Sequence, residues 1–385
     1  MLYILIGISL ILCAICLLCN TTFRKIANAA TQTQRSSAPD GKLPGITIII
    51  TAHNQEEQLR RHLPLILNQI HPDYEVIIVD MNSTDGTKKL LEQMEEGHFR
   101  LRHTFIPSSA CDISQQRLAI TLGAKAAQKP WLLLTTADCV PISHLWLQRM
   151  GEALLRHRSA MMVMGHTRYK GVKGLAGRRM SFFRLWQNVL TYRLVSKAGL
   201  YRSDGTNLLY NKDFFLSHHG FADHSNLLVG ATDIMVNRHS TRHNAEVCLH
   251  PEAMLEQEMP HKSHWKNDRL FFRQTRAHFK QHYAYRLRYF FRVLVHALFM
   301  LSLISSLALS VYLEAWWLTA VPLLLWLIHI TAQGIFFNAA SQALNNRRIN
   351  PFRIAWFVHL IPFWDAYTAL RYTFTDKRTF RKKYI

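Results

Sequence analysis

The chain has 385 residues and a formal net charge of +21, from 46 Lys and Arg against 25 Asp and Glu. That length accommodates one large domain with membrane segments, or two modest domains. Such a basic balance points to nucleic acid or to an anionic membrane surface. The basic residues crowd beside apolar runs, and no helix-turn-helix, RNA-binding or zinc-finger pattern occurs, so a membrane is expected and no nucleic-acid partner, a reading that charge alone would support. Cys13, Cys16 and Cys19 lie in or at the end of an apolar run, and Cys111, Cys139 and Cys248 are scattered, which suits a reducing compartment. The Cys13-x-x-Cys16 spacing lacks the second pair that a zinc site needs, so these read as small apolar helix residues.

Leu2 to Leu18 is uncharged and almost wholly apolar, about the minimum for a helix to cross a bilayer. It has neither the basic start nor the small-residue cleavage site of a signal peptide. Arg24 and Lys25 follow it, which places the N-terminus outside and the downstream chain in the cytoplasm. Residues 1–19 are therefore expected as a transmembrane helix of an inner (cytoplasmic) membrane protein. Residues 20–45, rich in Thr, Gln, Ser and Ala with Pro39 and Pro44, are expected as a linker.

From Ile46 the pattern alternates between strands and helices. Ile46-Thr-Ile-Ile-Ile50 and Glu75-Val-Ile-Ile-Val79 are β-branched runs of the kind buried on both faces of a parallel sheet. Between them, Leu59, Leu63, Ile66, Leu67 and Ile70 recur at helical spacing. Asn82-Ser-Thr-Asp-Gly86 is a turn into a helix, with Asp85 or Ser83 as its N-cap. A helix from about Ser114 to Gln128 precedes the strand Trp131-Leu-Leu-Leu134. This rhythm predicts an α/β domain with a mostly parallel sheet over residues 46–280.

Lys170 to Arg202 interleaves Lys173, Arg178, Arg179, Arg184 and Arg193 with Phe182, Phe183, Leu185, Trp186 and Val189 along an expected helix. Two readings stand: a membrane-interface helix, which the neighbouring apolar segments favour, or a core helix with a solvated face. Residues 281–385 form a C-terminal membrane region. Val293–Leu313 and Trp316–Phe337 predict a spanning hairpin over 293–337, with Arg286, Arg288 and Arg292 before it and Arg347, Arg348 and Arg353 after it, both ends cytoplasmic. Residues 354–370 contain Asp365 and precede the basic tail Lys377, Arg378, Arg381, Lys382 and Lys383, so a helix lying in the interface is expected there.

The residues from Ile46 to Glu56, with Thr51, His53 and Asn54, followed by Val79-Asp80-Met81-Asn82-Ser83-Thr84-Asp85-Gly86-Thr87, resemble the opening of family 2 glycosyltransferases. The resemblance runs from about Ile46 to Arg276. It implies a GT-A (Rossmann-like) fold and inverting transfer from a nucleotide-diphosphate sugar, a UDP-sugar first among donors. In a parallel sheet, ligands sit beyond the strands' carboxyl ends. Thr51, His53, Asn54 and Asp80 occupy such ends, and the resemblance gives them to the nucleotide. The alternative for Asp80 and Asp85 is turn capping alone.

Thr135-Thr136-Ala137-Asp138 resembles the family's Asp-x-Asp segment, whose carboxylates hold Mg²⁺ or Mn²⁺ against the departing diphosphate. Here Thr136 stands at the first acidic position and Asp138 remains, assigned to nucleotide and metal. Asp204-Gly205-Thr206-Asn207, then His219-Gly220-Phe221, then Gly230-Ala231-Thr232-Asp233, follow the family's later segments in order. The resemblance implies Asp233 as catalytic base, with a helix N-cap as its alternative. Gly205 and Asn207 are expected near the acceptor. Trp265 and Arg269 stand where relatives carry a Gln-x-x-Arg-Trp signature, and its incomplete form predicts single-sugar addition to a lipid-linked or membrane-proximal glycan. Loss of acidic positions at Met81, Thr136, Ala231 and Thr232 leaves a second reading, a catalytically impaired membrane scaffold or subunit of a polysaccharide assembly complex.

Overall fold

The computed structural model describes residues 1–106, 114–218, 220–221, 230–279 and 283–375. Cys111, His219 and the basic tail from Lys377 lie outside the described residues. The chain divides into two compact units, one centred on Thr33–Val172 and Leu194–His282, the other on Met1–Gln32, Lys173–Arg193 and Tyr283–Thr373.

The first helix, α1 (Leu2–Arg35), runs far past the apolar segment. The linker expected from residue 20 is thus helical to Arg35. Polar side chains alone do not stop a helix, and no Gly or Pro occurs between Asn20 and Pro39 to break it.

The α/β unit is built on β1 (Ile46–Ala52), α2 (Glu56–Leu67), β2 (Tyr74–Asp80), α3 (Thr87–Gly97), β3 (Leu101–Phe105), α4 (Gln115–Ala126) and β4 (Trp131–Thr136). It continues through β5 (Cys139–Pro141), α5 (Trp146–Arg156), β6 (Met162–Gly165) and β7 (Thr167–Tyr169). The chain then forms α6 (Gly174–Ala198), β8 (Leu208–Asn211), α7 (Lys212–Ser217), α8 (Ala231–His239), β9 (Ala245–Cys248), β10 (Leu255–Gln257) and α9 (Lys262–Arg276).

The main sheet has seven strands in the order β3-β2-β1-β4-β8-β6-β9, and β5-β10-β7 form a smaller one. β3, β2, β1 and β4 run parallel, and β8 is antiparallel to β4 and β6. All seven residues of β1 and of β2 are buried, the Ile and Val runs as a parallel sheet covered on both faces requires, and with them the polar Thr47, Thr51, Glu75 and Asp80. Their side chains pack with Leu59, Leu63 and Ile66 of α2 and with Leu90 and Leu91 of α3. Each such side chain contributes roughly 1.5–3 kcal/mol on burial. The register sets Thr51 beside both Val79 and Thr136, and Ala52 beside Asp80. The three central strands therefore end at one level, where the order reverses direction across β1.

The second unit holds α1, α6 as far as Arg193, α10 (Tyr283–Tyr312), α11 (Ala320–Ala343), α12 (Pro351–His359) and α13 (Ile361–Phe374). Three stretches among the described residues are long and apolar enough to cross a membrane: Leu2–Arg35, Tyr283–Tyr312 and Trp316–Ala343. Ser9 of α1 hydrogen-bonds Ser302 at 3.1 Å and Ser306 at 3.3 Å, both on α10, small polar residues that let helices approach closely. The aromatic residues of α6 turn inward: Phe182 and Trp186 are buried against Phe23, Phe337 and Phe357. These side chains are thus core residues of the unit that also holds the candidate membrane-spanning helices. The stretch 354–370 is two helices, because Pro362, lacking an N–H, fits the first turn of a new helix better than the interior of a long one.

Candidate active site

At the carboxyl ends of β1 and β2, two loops are tied together by side chains. Asn54 has a left-handed backbone, φ +51°, which Asn tolerates better than most residues. Its N–H donates to Ser83 Oγ at 2.8 Å, and its Oδ1 accepts from the Thr84 N–H at 2.7 Å. His53 Nδ1 donates to the Met81 carbonyl at 2.8 Å, which leaves Nε2 as the acceptor of an exposed ring. Asp80 is buried, and its Oδ1 accepts from the N–H and the hydroxyl of Ser83, at 3.1 and 2.5 Å. Its Oδ2 takes no hydrogen bond among the described residues. Asp85 accepts from Glu56 N–H and Thr87 N–H, at the starts of α2 and α3. Burial pushes its carboxyl up, but these bonds outweigh that and hold it below the usual range. Asp85 thus binds two helix starts, while the N-cap of α3 is Gly86, so neither Asp85 nor Ser83 holds that position.

Beyond β4, Asp138 is held from both sides. Thr136 Oγ1 donates to its Oδ1 at 2.5 Å, and Gln257 Nε2 donates to its Oδ2 at 2.9 Å. The small sheet explains the second contact: Gln257 pairs with Cys139 on one side and Tyr169 on the other.

The same sheet leads to Asp233. Thr167, two residues before Tyr169, places its hydroxyl 3.0 Å from that of Thr206. Thr206 bonds Asp204 through its N–H and hydroxyl, at 3.2 and 2.7 Å. Next to Asp204, the Ser203 N–H donates to Asp233 Oδ1 at 3.0 Å, and Thr232 Oγ1 returns a bond to the Ser203 carbonyl. Arg202 Nε lies 3.5 Å from Asp233 Oδ1, with its guanidinium 4.0 Å over the Phe272 ring. Burial pushes the Asp233 carboxyl up to about 6, aided by the charge of Asp204 and opposed by Arg202 and the Ser203 N–H. A group with that proton affinity can take and release a proton near neutral pH. Asp233 is in the first turn of α8, whose N-cap is Gly230 with φ +77°, and its side chain makes no capping bond there. The capping alternative is thereby replaced by the tie to Ser203.

Residues 47–223 match the model of glycosyl transferase family 2. Over that segment the chain is similar to family 2 glycosyltransferases. AglE, a glycosyltransferase of Haloferax volcanii, is 23% identical over 201 residues, 52% of this chain and 62% of AglE. TuaG of Bacillus subtilis, named for teichuronic acid biosynthesis, is 31% identical over 67 residues, 17% of this chain and 27% of TuaG. The chain thus spans less than two thirds of either relative. The mannosyltransferase PcManGT of Pyrobaculum calidifontis, solved with GDP-Man and Mn²⁺, superposes with a TM-score of 0.52 at 18% identity, covering 96% of this chain and 99% of that one. The likeness is one of fold, and it makes the α/β unit GT-A-like.

No group of three or more His, Cys, Asp or Glu among the described residues could hold a metal. Asp138 supplies one oriented carboxylate, a hard oxygen donor. That fits Mg²⁺ or Mn²⁺ when substrate oxygens and water complete the shell.

Thr51, His53, Asn54 and Asp80 meet at the ends of β1 and β2, as expected. The Asn207 amide turns into the core. It is buried, with Oδ1 accepting from Trp146 Nε1 and Nδ2 donating to the carbonyls of His166 and Ala253. Its part is to hold the core. Gly205 has φ +74° and lies where a Cβ would come 3.0 Å from Thr232 Cγ2, so it shapes the loop behind Asp233. Trp265 is buried on α9, with the Arg269 guanidinium 5.3 Å from its ring. Gln257, Arg202 and Ser203 were missed by sequence reasoning. Gln257 sits on a three-residue strand without periodicity, and Ser203 acts through its backbone, which no residue type reveals.

Proposed function

We propose that this chain transfers a glycosyl group from a nucleotide-diphosphate sugar to a lipid-linked or membrane-proximal glycan, one sugar at a time and with inversion. The observation that carries the reading is Asp233: a buried carboxyl with proton affinity near neutral, fixed by a backbone N–H in a chain similar to family 2 glycosyltransferases. Asp233 takes the proton of the acceptor hydroxyl as that oxygen forms a bond to the anomeric carbon. The bond from that carbon to the diphosphate oxygen breaks, and the nucleoside diphosphate leaves with the electron pair. Attack opposite the leaving group inverts the carbon.

Thr51, His53, Asn54 and the unbonded Oδ2 of Asp80 receive the nucleotide. Asp138 holds the divalent ion, which when bound neutralises charge on the diphosphate. Trp265 and Arg269 are assigned to the acceptor side. UDP-sugars come first among donors, with GDP-sugars beside them because PcManGT was solved with GDP-Man. The N-terminal helix and the hairpin anchor the chain in the inner membrane, the catalytic domain faces the cytoplasm, and α12 and α13 lie in the interface. Exposed Phe352, Trp356, Phe363 and Phe374 on those two helices support that placement.

The single carboxylate at the metal position favours the second reading, an impaired scaffold. Calorimetric titration of the detergent-solubilised full chain with UDP, GDP and TDP, with and without Mn²⁺, separates the two. Metal-dependent binding supports transfer. No binding of any nucleotide in either condition moves the assignment to the scaffold.

A further inference from the structure

A polar cluster lies inside the apolar helical unit. Arg292 of α10 is only 4% exposed, and it immediately precedes the uncharged run Val293–Leu313. Its guanidinium is stacked 3.8 Å from the Trp186 ring centre and 4.5 Å from that of Phe23. Nη2 donates to Asn20 Oδ1 at 3.1 Å. Nε and Nη1 are buried without a partner, as is Asn20 Nδ2. The titratable groups facing the cation include the thiols of Cys16 and Cys19, the phenols of Tyr285 and Tyr289 and the imidazole of His296. No carboxylate pairs with it among the described residues.

One turn deeper, His296 Nδ1 bonds the Arg292 carbonyl at 2.7 Å, and Gln333 Oε1 has no partner. These groups do not form a metal set.

The energetics call for an anion. A buried charge without a counter-charge is costly, and aromatic stacking offsets only part of that cost. Each unpartnered buried donor adds to it. The anion's source follows from position. Arg286 and Arg288 lie on the polar side of Arg292 and an uncharged run on the other, and Asn20 directly follows the apolar run of α1. Both residues thus sit at a polar–apolar boundary, the depth of lipid phosphates in a bilayer. Exposed Leu294, Leu298, Leu301 and Ile304 on α10 give the unit an apolar exterior that lipid would surround. A guanidinium fork matches phosphate geometry.

We propose that Arg292, with Asn20 beside it, binds the phosphate group of a membrane lipid. The nitrogens that receive it are buried, so the phosphate reaches them as cluster side chains turn aside. The inference rests on the chain lying in a bilayer and not on the transfer reaction, so either can fail alone.

The test uses the full chain in a phosphate-free neutral detergent, with phosphatidylglycerol, a polyprenyl phosphate or inorganic phosphate added, and reads thermal unfolding. Wild type is expected to melt several degrees higher with a phosphate lipid. Arg292→Met removes an uncompensated charge, so it folds without lipid and binds that lipid about tenfold or more weakly. A response to phosphatidylglycerol identifies bulk lipid, and a response to the polyprenyl phosphate alone identifies a carrier lipid. A response to inorganic phosphate alone, an equal response in Arg292→Met, or no response at all overturns the proposal. Should Arg292→Met fail to fold, native mass spectrometry of the wild type decides. A phosphate-lipid adduct that resists exchange with neutral lipid upholds the site, and its absence overturns it.

Discussion

The hydroxyl of Thr136 donates to Oδ1 of Asp138 at 2.5 Å, while Gln257 holds the other oxygen. Asp138 is thereby presented in one orientation. Asp138→Asn should weaken Mn²⁺-dependent nucleoside diphosphate binding about tenfold or more, because a hard cation loses its one protein carboxylate. Thr136→Val keeps the carboxylate and loses one hydrogen bond, so about fivefold is expected. Affinities measured at fixed Mn²⁺ check the order of the two effects.

Asp233→Asn should lower kcat by about 10²–10⁴ with donor affinity unchanged, the loss expected for a general base. The wild-type rate should rise as pH climbs through about 6, since the deprotonated form accepts the proton. A pH–rate profile reads this limb.

The same carboxyl makes a stability prediction. Its proton affinity rises from 3.8 to about 6 on folding, so the folded chain binds the extra proton within that window. Stability therefore falls as pH rises from about 4 to about 6 and stays lower above it, by on the order of 3 kcal/mol at most. Asp233→Asn, which still accepts from Ser203, should flatten that segment of the melting temperature against pH.

Arg202 stands 3.5 Å from Asp233 and opposes the effect of burial on it. Arg202→Met should move the acidic limb of the pH–rate profile to higher pH. An unmoved limb would show that Arg202 does not tune the base.

Gly230 begins α8 with φ +77°, and a Cβ there would lie 2.3 Å from Thr275 Oγ1. Gly230→Ala combines backbone strain with a steric clash and should cost about 2–3 kcal/mol, seen as a lower melting temperature.

The parallel strands β1, β2 and β4 were readable because each carries a β-branched or Leu-rich run, and Thr51, Asp80 and Asp138 were readable because each stands at or just beyond the end of one. The smaller sheet was not, since strands of three residues carry no period and gain their order from pairing. That is why Gln257 went unseen. The inward turn of the Asn207 amide to Trp146 was not readable, because a motif marks a position and not a direction. The helical extension to Arg35 was hidden by polar composition, although what ends a helix is a breaker.

The most direct test is transfer itself. Wild-type chain and Asp233→Asn are each incubated with Mn²⁺, radiolabelled UDP- and GDP-sugars and a membrane lipid and glycan extract. Label should enter the extract with wild type and fall by about 10²-fold or more with Asp233→Asn. Equal labelling by both proteins would contradict Asp233 as the base, and no labelling from any donor would contradict glycosyl transfer.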